Sequence, residues 1–321
     1  MVIFQEFRST MNVLITGSDG FIGCHLAADL GARGHQVCGL DSGGVAMPAW
    51  LRLERENYSK LKSVRCDIRN REELARVVGA LSPDVIVHLA AKPGVAGAEV
   101  DPLAYEEVNV GGVANLIAAC RLAGVRRIVH ASTSSVYGNV VGAINETTPL
   151  RPLGHYGRTK LNGEKLLQDA ATLGGMDVII LRPFNVIGPM GRPDMAPWRF
   201  AEQIIQGRTL SIHEGASRDF TSVHDVTVAF ALSVESRIAG CQIMNVGAGE
   251  PHSAVQLADG LAGAIGLGYD AKMVPLPTYM PKTTHAEVGR AKTLLGWEPQ
   301  VKFADALAEF GRWLKSRLAA A

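Results

Sequence analysis

Three glycines at three-residue spacing, Gly17, Gly20 and Gly23, stand between a short apolar run, Asn12-Val13-Leu14-Ile15-Thr16, and a helical pattern from Cys24 to Arg33. The run suits a buried parallel strand. The glycines permit a tight turn, close approach of the backbone to a pyrophosphate and close packing of helix on strand, with the helix N-terminus facing the phosphates. Alone they are a flexible turn; between this strand and this helix they predict a nucleotide loop.

The alternation continues along the chain. Gln36 to Leu40 reads as a second strand with Asp41 at its carboxyl end, Val64 to Ile68 as a third, and Asp84 to Ala91 as a nearly continuous apolar fourth. An apolar helical stripe from Pro102 to Gly124, a strand from Arg127 to Ser132 and another from Asp177 to Pro183 follow. This is the βαβ rhythm of an α/β, doubly wound parallel Rossmann sheet, whose ligands lie at the carboxyl ends of the strands. Asp41 at such an end can accept both ribose hydroxyls and repel a 2′-phosphate, which favours NAD over NADP. His88, inside the fourth strand, reads as a packed residue rather than a catalyst. A chain of 321 residues with 47% hydrophobic content can form one large and one smaller unit. The expected division is residues 11–185, with a return segment near 219–246, for NAD, and mainly 186–321 for a smaller C-terminal α/β substrate domain.

The chemistry-bearing stretch is Ala131 to Lys160. Tyr156 and Lys160 stand four residues apart at the start of a helical pattern, so their side chains share a face and the ammonium can sit close to the phenol. A nearby positive charge favours the phenolate, bringing a group of pKa about 10 toward use as a base. The hydroxyls of Thr133, Ser134 and Ser135 at a strand end supply hydrogen bonds to an oxygen undergoing deprotonation. A bare Tyr-x-x-x-Lys is common on surface helices, and context gives this one its meaning.

In this order the motifs resemble the extended short-chain dehydrogenase/reductase family, the NAD-dependent nucleotide-sugar epimerases and dehydratases. The likeness runs from Met11 to about Lys315 and includes Arg218-Asp219-Phe220, Asn245-Val246-Gly247 and Leu295-Gly296-Trp297-Glu298-Pro299. It implies that Gly17, Gly20, Phe21, Ile22 and Gly23 border the cofactor diphosphate, Asp67 and Ile68 the adenine, and Leu89, Ala90 and Ala91 the dinucleotide. It implies also that Asn109, grouped with the cofactor-binding residues, stabilises the active-site framework, and that Pro183 and Val186 flank the nicotinamide. Tyr156 would be the base, Lys160 its electrostatic partner and a ribose ligand, and Thr133 the hydroxyl that positions the sugar C4 oxygen. Asn185 would meet the sugar nucleotide and Arg218 its diphosphate. A homodimer through the helices beginning near Pro102 and Tyr156 is implied as well.

Gly191-Arg192-Pro193-Asp194-Met195 resembles the UDP-glucuronate 4-epimerases, where the arginine faces the sugar carboxylate; a planar guanidinium forks onto a carboxylate with two hydrogen bonds. The activity implied is epimerisation at C4 of a UDP-sugar, UDP-glucuronate or UDP-galacturonate, through a 4-keto intermediate. A UDP-glucose/galactose-type 4-epimerase and a decarboxylating UDP-uronate enzyme are the alternatives, with a non-enzymatic NAD sensor behind them. Ser134-Ser135 stands where the 4,6-dehydratases carry an Asp-Glu pair, which argues against dehydration. Two departures stand out. Ile187 replaces a tyrosine, and Leu276-Pro277-Thr278-Tyr279-Met280 replaces Arg-Pro-Gly-Asp, so one phosphate-binding arginine is missing and Lys282 is no equivalent fork.

A formal net charge of +1 with dispersed Lys and Arg argues against nucleic acid and anionic membranes as partners. Five scattered cysteines without a Cys-x-x-Cys fit buried thiols in a reducing cytoplasm, with neither disulfide nor metal. Met1 to Thr10 lacks a signal-peptide pattern and precedes a second methionine, Met11; it is expected to be an extension without function.

Overall fold

A computed structural model describes residues 10–44 and 47–318. The expectation for Met1 to Thr10 therefore falls, Thr10 aside, outside the described residues. The strands in chain order are β1 (Asn12–Thr16), β2 (Gln36–Asp41), β3 (Ser63–Arg65), β4 (Val85–His88), β5 (Arg127–Ala131) and β6 (Asp177–Pro183). Then come β7 (Asn185–Ile187), β8 (Leu210–His213), β9 (Ser217–Ser222), β10 (Cys241–Val246), β11 (Pro251–Ser253) and β12 (Ala271–Val274). Seven of them form one sheet in the order β10-β6-β5-β4-β1-β2-β3. Every pairing in it is parallel.

The period of two along β1 explains why helices cover both faces. Val13 and Ile15 pack with Leu26, Leu30 and Phe230, while Leu14 between them packs with Leu74, Leu116 and Leu167. Two cores result, one on each side of the sheet, as the doubly wound reading requires.

Local departures from that reading have local causes. The first helix is Phe21–Ala32, so Gly23 lies within its opening turn rather than before it. β3 has only three residues because it is an edge strand; the chain then turns to bury Cys66 and Ile68, each under 5% exposed. The 102–124 stripe is a helix Pro102–Glu106, a π-helical turn Glu107–Gly111 and a second helix Gly112–Ala123. Such turns recur at functional sites. Here it carries Asn109, 1% exposed. A helix Ala49–Ser59 between β2 and β3 has no counterpart in the sequence reading.

β7 starts two residues after β6 and belongs to a three-stranded sheet, β11-β9-β7; β12 and β8 form a parallel pair. Helices Ala196–Ile205, Ala254–Ile265 and Phe303–Leu318 close over a third core containing Trp198, Phe200, Leu257, Leu261, Phe310 and Leu314. The Ala254–Ile265 helix opens with a capping box, Ser253 and Gln256 satisfying each other's backbone donors. β10 returns the chain to the edge of the large sheet, in register with β6 from Cys241–Val178 to Val246–Pro183.

Candidate active site

The glycine loop is packed too tightly for side chains. Gly17 has φ of +74°, and a Cβ there would lie 2.7 Å from the Ala90 nitrogen and 2.9 Å from the Leu89 carbonyl carbon. A Cβ on Gly23 would lie 2.2 Å from the Gly17 oxygen. Phe21 is buried edge-on against His25, and Ile22 packs against the core beneath β1. Leu89 and Ala90 donate backbone N–H to the Thr16 carbonyl and hydroxyl, at 3.0 and 3.3 Å, fixing the β4 end, with Ala91 next in the chain, beside the loop. Asp41 accepts from the Gly43 and Asp19 backbone at 2.8 and 3.2 Å. Burial pushes its carboxyl up, and the Gly43 N–H draws it back down. This bare, backbone-lined cradle with a carboxylate at the β2 end fits a dinucleotide.

Asp67 is half-exposed and forked by Arg69, which holds its carboxyl below the usual range, while Ile68 packs where a Cβ on Gly112 would meet it. Asn109, expected to stabilise the framework, sits buried in the π-helical turn. Its amide is spent on the protein, accepting from Lys92 N–H at 2.8 Å and donating to Lys92 O at 3.1 Å and the Thr159 hydroxyl at 3.0 Å. It therefore ties the β4 exit loop to the catalytic helix. Pro183 ends β6, and Asn185 and Val186 sit on β7 opposite Phe220 and Thr221 of β9.

Tyr156 and Lys160 share the first turns of the helix His155–Gly174. Thr133 ends the β5 exit loop; its hydroxyl donates to Ser135 Oγ at 3.2 Å and accepts the Ser135 N–H at 3.1 Å, shaping the turn that holds Ser134. The phenol and the ammonium on this helix face have different neighbours. Burial pushes the Tyr156 phenol up, and the groups that draw it down are Arg192 first and then the Thr133 hydroxyl. Lys160, 3% exposed, instead directs its Nζ to His130 Nε2 at 3.5 Å, and burial lowers it to about 8. His130 on β5 stacks on His88 of β4, with ring centroids 5.2 Å apart, and His88 Nδ1 lies 2.7 Å from the Thr16 hydroxyl. Desolvation holds both imidazoles neutral, so His88 is a packed residue, as read.

Beneath this surface lies a buried network that sequence reasoning missed. Glu164, one turn beyond Lys160, accepts two hydrogen bonds from Arg182 of β6, at 2.9 and 2.6 Å, and one from Ser132. Arg182 also donates to Tyr137 Oη at 2.9 Å, and Tyr137 donates to Asn245 of β10 at 2.6 Å. The i, i+4 spacing of Lys160 and Glu164 was the one available signal.

Arg192 arrives from a different segment. It forks onto Asp194, Nε to Oδ1 at 3.0 Å and Nη2 to Oδ2 at 2.5 Å, and its charge bears on the phenols of Tyr156 and Tyr105. The Tyr105 and Tyr156 rings meet edge to face at 6.3 Å, and Gly94 clears the space, since a Cβ there would stand 3.2 Å from Arg192 Nη2. Arg218 lies elsewhere, at the start of β9, donating among the described residues to the carbonyls of Ser217 and Lys282, at 2.8 and 3.1 Å. Burial lowers it to about 10; His213 is lowered by its own burial first and then by the charges of Arg199 and Arg218, so positive charge gathers there. Tyr279, from the segment lacking the expected arginine, lines a small cleft with Ser135, Gly154 and Gly157 at the head of the catalytic helix.

A parallel sheet with a tight glycine loop after β1, and a tyrosine near a hydroxyl turn after β5, is the arrangement of a dinucleotide-dependent short-chain site. The profile of the NAD dependent epimerase/dehydratase family matches residues 13–247, and the chain belongs to that family. It is 31% identical over 313 residues to the UDP-glucuronate 4-epimerase of Thermodesulfobacterium geofontis, covering 95% of this chain and 96% of that one. It is 34% identical over 314 residues to the UDP-glucose 4-epimerase of Mycolicibacterium smegmatis, covering 96% and 99%. Among solved structures, the Bacillus cereus UDP-glucuronic acid 4-epimerase in complex with UDP-glucuronic acid and NAD superposes with a TM-score of 0.89 at 32% identity, covering 96% of this chain and all of that one.

Proposed function

We propose that this chain is an NAD-dependent 4-epimerase of UDP-hexuronic acids, interconverting UDP-glucuronate and UDP-galacturonate. The observation that carries the substrate choice is the position of Arg192, whose guanidinium stands with the Tyr105 hydroxyl around Gly94, and Tyr105 in turn meets the ring of Tyr156. Arg192 is already forked by Asp194 on one edge; a neutral hexose would offer its other edge no carboxylate, whereas a C5 carboxylate meets it next to the reacting C4 oxygen.

NAD, when bound, supplies reversible hydride acceptance and return at C4. The chain's own groups do the rest. Tyr156 Oη takes the proton from the C4 hydroxyl as the ketone forms and gives it back when the alcohol is restored. Thr133 Oγ1 holds the C4 oxygen in reach of that phenol. Arg192 lowers the phenol and offers the edge not taken by Asp194 to the substrate carboxylate, with Ser134 and Ser135 hydroxyls on its other side. This grip on the carboxylate opposes loss of CO₂ from the β-keto acid, which needs the C5–C6 bond perpendicular to the carbonyl plane.

In the same reading Arg218, joined by Arg199, meets the UDP diphosphate. Residues 11–185 with the 219–246 return hold the dinucleotide and 186–321 mainly the sugar nucleotide. The active species is a cytoplasmic homodimer. Incubating purified protein with UDP-glucuronate, UDP-galacturonate, UDP-glucose and UDP-galactose and identifying products by NMR tests the proposal. C4 epimers of the acids are expected, with Arg192→Ala losing the acids far more than the hexoses. Turnover of hexoses at equal rates, untouched by Arg192→Ala, restores the UDP-glucose-type alternative, and a pentose product the decarboxylating one.

A further inference from the structure

Arg55 sits on the Ala49–Ser59 helix and is 3% exposed. Its Nε and Nη2 both donate to the Met190 carbonyl, at 3.2 and 2.7 Å, and Nη2 reaches the Gly191 carbonyl at 3.3 Å. Nη1 donates to the Asp19 carbonyl at 3.2 Å and to the Met47 sulfur at 3.6 Å. Among the described residues no carboxylate touches it; the Asp19 carboxylate is taken by Ser63 and by Arg65 at 2.7 Å. A buried charge without a counterion is costly, and burial accordingly weakens this guanidinium's hold on its proton.

The three carbonyls it joins belong to two places that matter. Asp19 lies in the cofactor loop between Gly17 and Gly20. Met190 and Gly191 immediately precede Arg192. Met190 has φ of +57°, a left-handed conformation uncommon for a side-chain-bearing residue. Its carbonyl is the one the Arg55 fork grips. The left-handed turn just before Arg192 is thus gripped by a cation that also holds a carbonyl of the nucleotide loop.

We infer that Arg55 is a positioning residue that couples the cofactor loop to the turn bearing Arg192, so that filling one ligand site tightens the other. The inference rests on the reading of Arg192 as the carboxylate ligand. A lysine at 55 keeps the charge and stem but has no fork to span both segments, so Arg55→Lys isolates the joint from the charge.

Full-length wild type, Arg55→Lys, Arg55→Met, Arg192→Ala and the Arg55→Lys/Arg192→Ala double variant are compared. NAD affinity is measured by calorimetry with and without UDP-glucuronate and, separately, UDP-glucose, alongside steady-state kinetics. In wild type, sugar nucleotide should tighten NAD within the range of roughly 5–150-fold usual for linked sites. Arg55→Lys should fold, lose most of that linkage with either sugar nucleotide, and raise KM for UDP-glucuronate about tenfold with a smaller change in kcat. The double variant should be no worse than Arg192→Ala, because both act through one contact. Unchanged linkage in Arg55→Lys, or KM effects that multiply in the double variant, overturns the inference. Should Arg55→Met fail to fold, the lysine variant decides alone. Should Arg192→Ala spare UDP-glucuronate, the carboxylate reading falls, and the NAD linkage with UDP-glucose still decides the role of Arg55.

Discussion

At the scale of single residues, the site works by charge placed in poorly solvated surroundings. Tyr156→Phe keeps the ring and its packing on Tyr105 and removes only the proton carrier, so it should hold NAD yet lose about 10²–10⁴-fold in turnover. Near-normal rates would remove Tyr156 from the mechanism. Burial pushes the Tyr156 phenol up and the Arg192 charge draws it down. In Arg192→Met the phenol should ionise at higher pH, and the limb of the pH–rate profile on which the base forms should move upward, measured with a UDP-hexose. A profile that stays in place counts against that pairing. Lys160 gives a second pH test. Burial lowers it from 10.5 to about 8, so the folded chain releases this proton before the unfolded chain does. Between those values the unfolded state binds more protons, and stability rises with pH. Cofactor-free wild type should gain in thermal midpoint over Lys160→Met as pH passes above about 8; a constant difference would place the charge of Lys160 in a better-solvated setting.

At the scale of elements, the Glu164–Arg182 pair fastens the catalytic helix to β6, and Ser132 and Tyr137 carry the same network to the hydroxyl turn and to β10. Both side chains of the pair are essentially sealed from solvent, at 0% and 2%. Removing one partner strands the other as a buried charge, so Glu164→Ala should lower unfolding free energy by about 3–5 kcal/mol in urea titration. Glu164→Met combined with Arg182→Met should recover much of the loss, because apolar residues of similar volume can replace a buried pair. A double variant as unstable as the single one would mean that the hydrogen bonds to Ser132 and Tyr137 dominate. The register of β6 with β10 puts Asn245 opposite Arg182, which is why a residue from late in the chain completes a network begun at Ser132.

At the scale of the whole molecule, large apolar side chains lie open on the helices around residues 95–123 and 155–174: Val100 at 86%, Leu103 at 76%, Leu122 at 78% and Leu173 at 84%. Covering them with a second copy is the arrangement proposed above, and light scattering at micromolar concentration should give twice the chain mass. Leu103→Glu with Leu173→Glu should shift it to the monomer. Among the described residues no helix is long and apolar enough to cross a membrane.

The doubly wound fold was legible in the sequence because its determinants are local: apolar runs of strand length, glycines at fixed spacing, and small or acidic residues at strand ends. Tyr156, Lys160 and Thr133 could be proposed for the same reason, lying within one strand-to-helix passage. What the linear text could not fix is which charges meet. Lys160 lies four residues from Tyr156, yet burial against β5 turns it to His130. Arg192, 36 positions away, brings its charge to bear on the phenol, and Arg55 joins two loops far apart in the chain. Spacing along a helix fixes only a shared face, whereas a pKa depends on distance and desolvation in three dimensions, and those arise when separate segments close over one another.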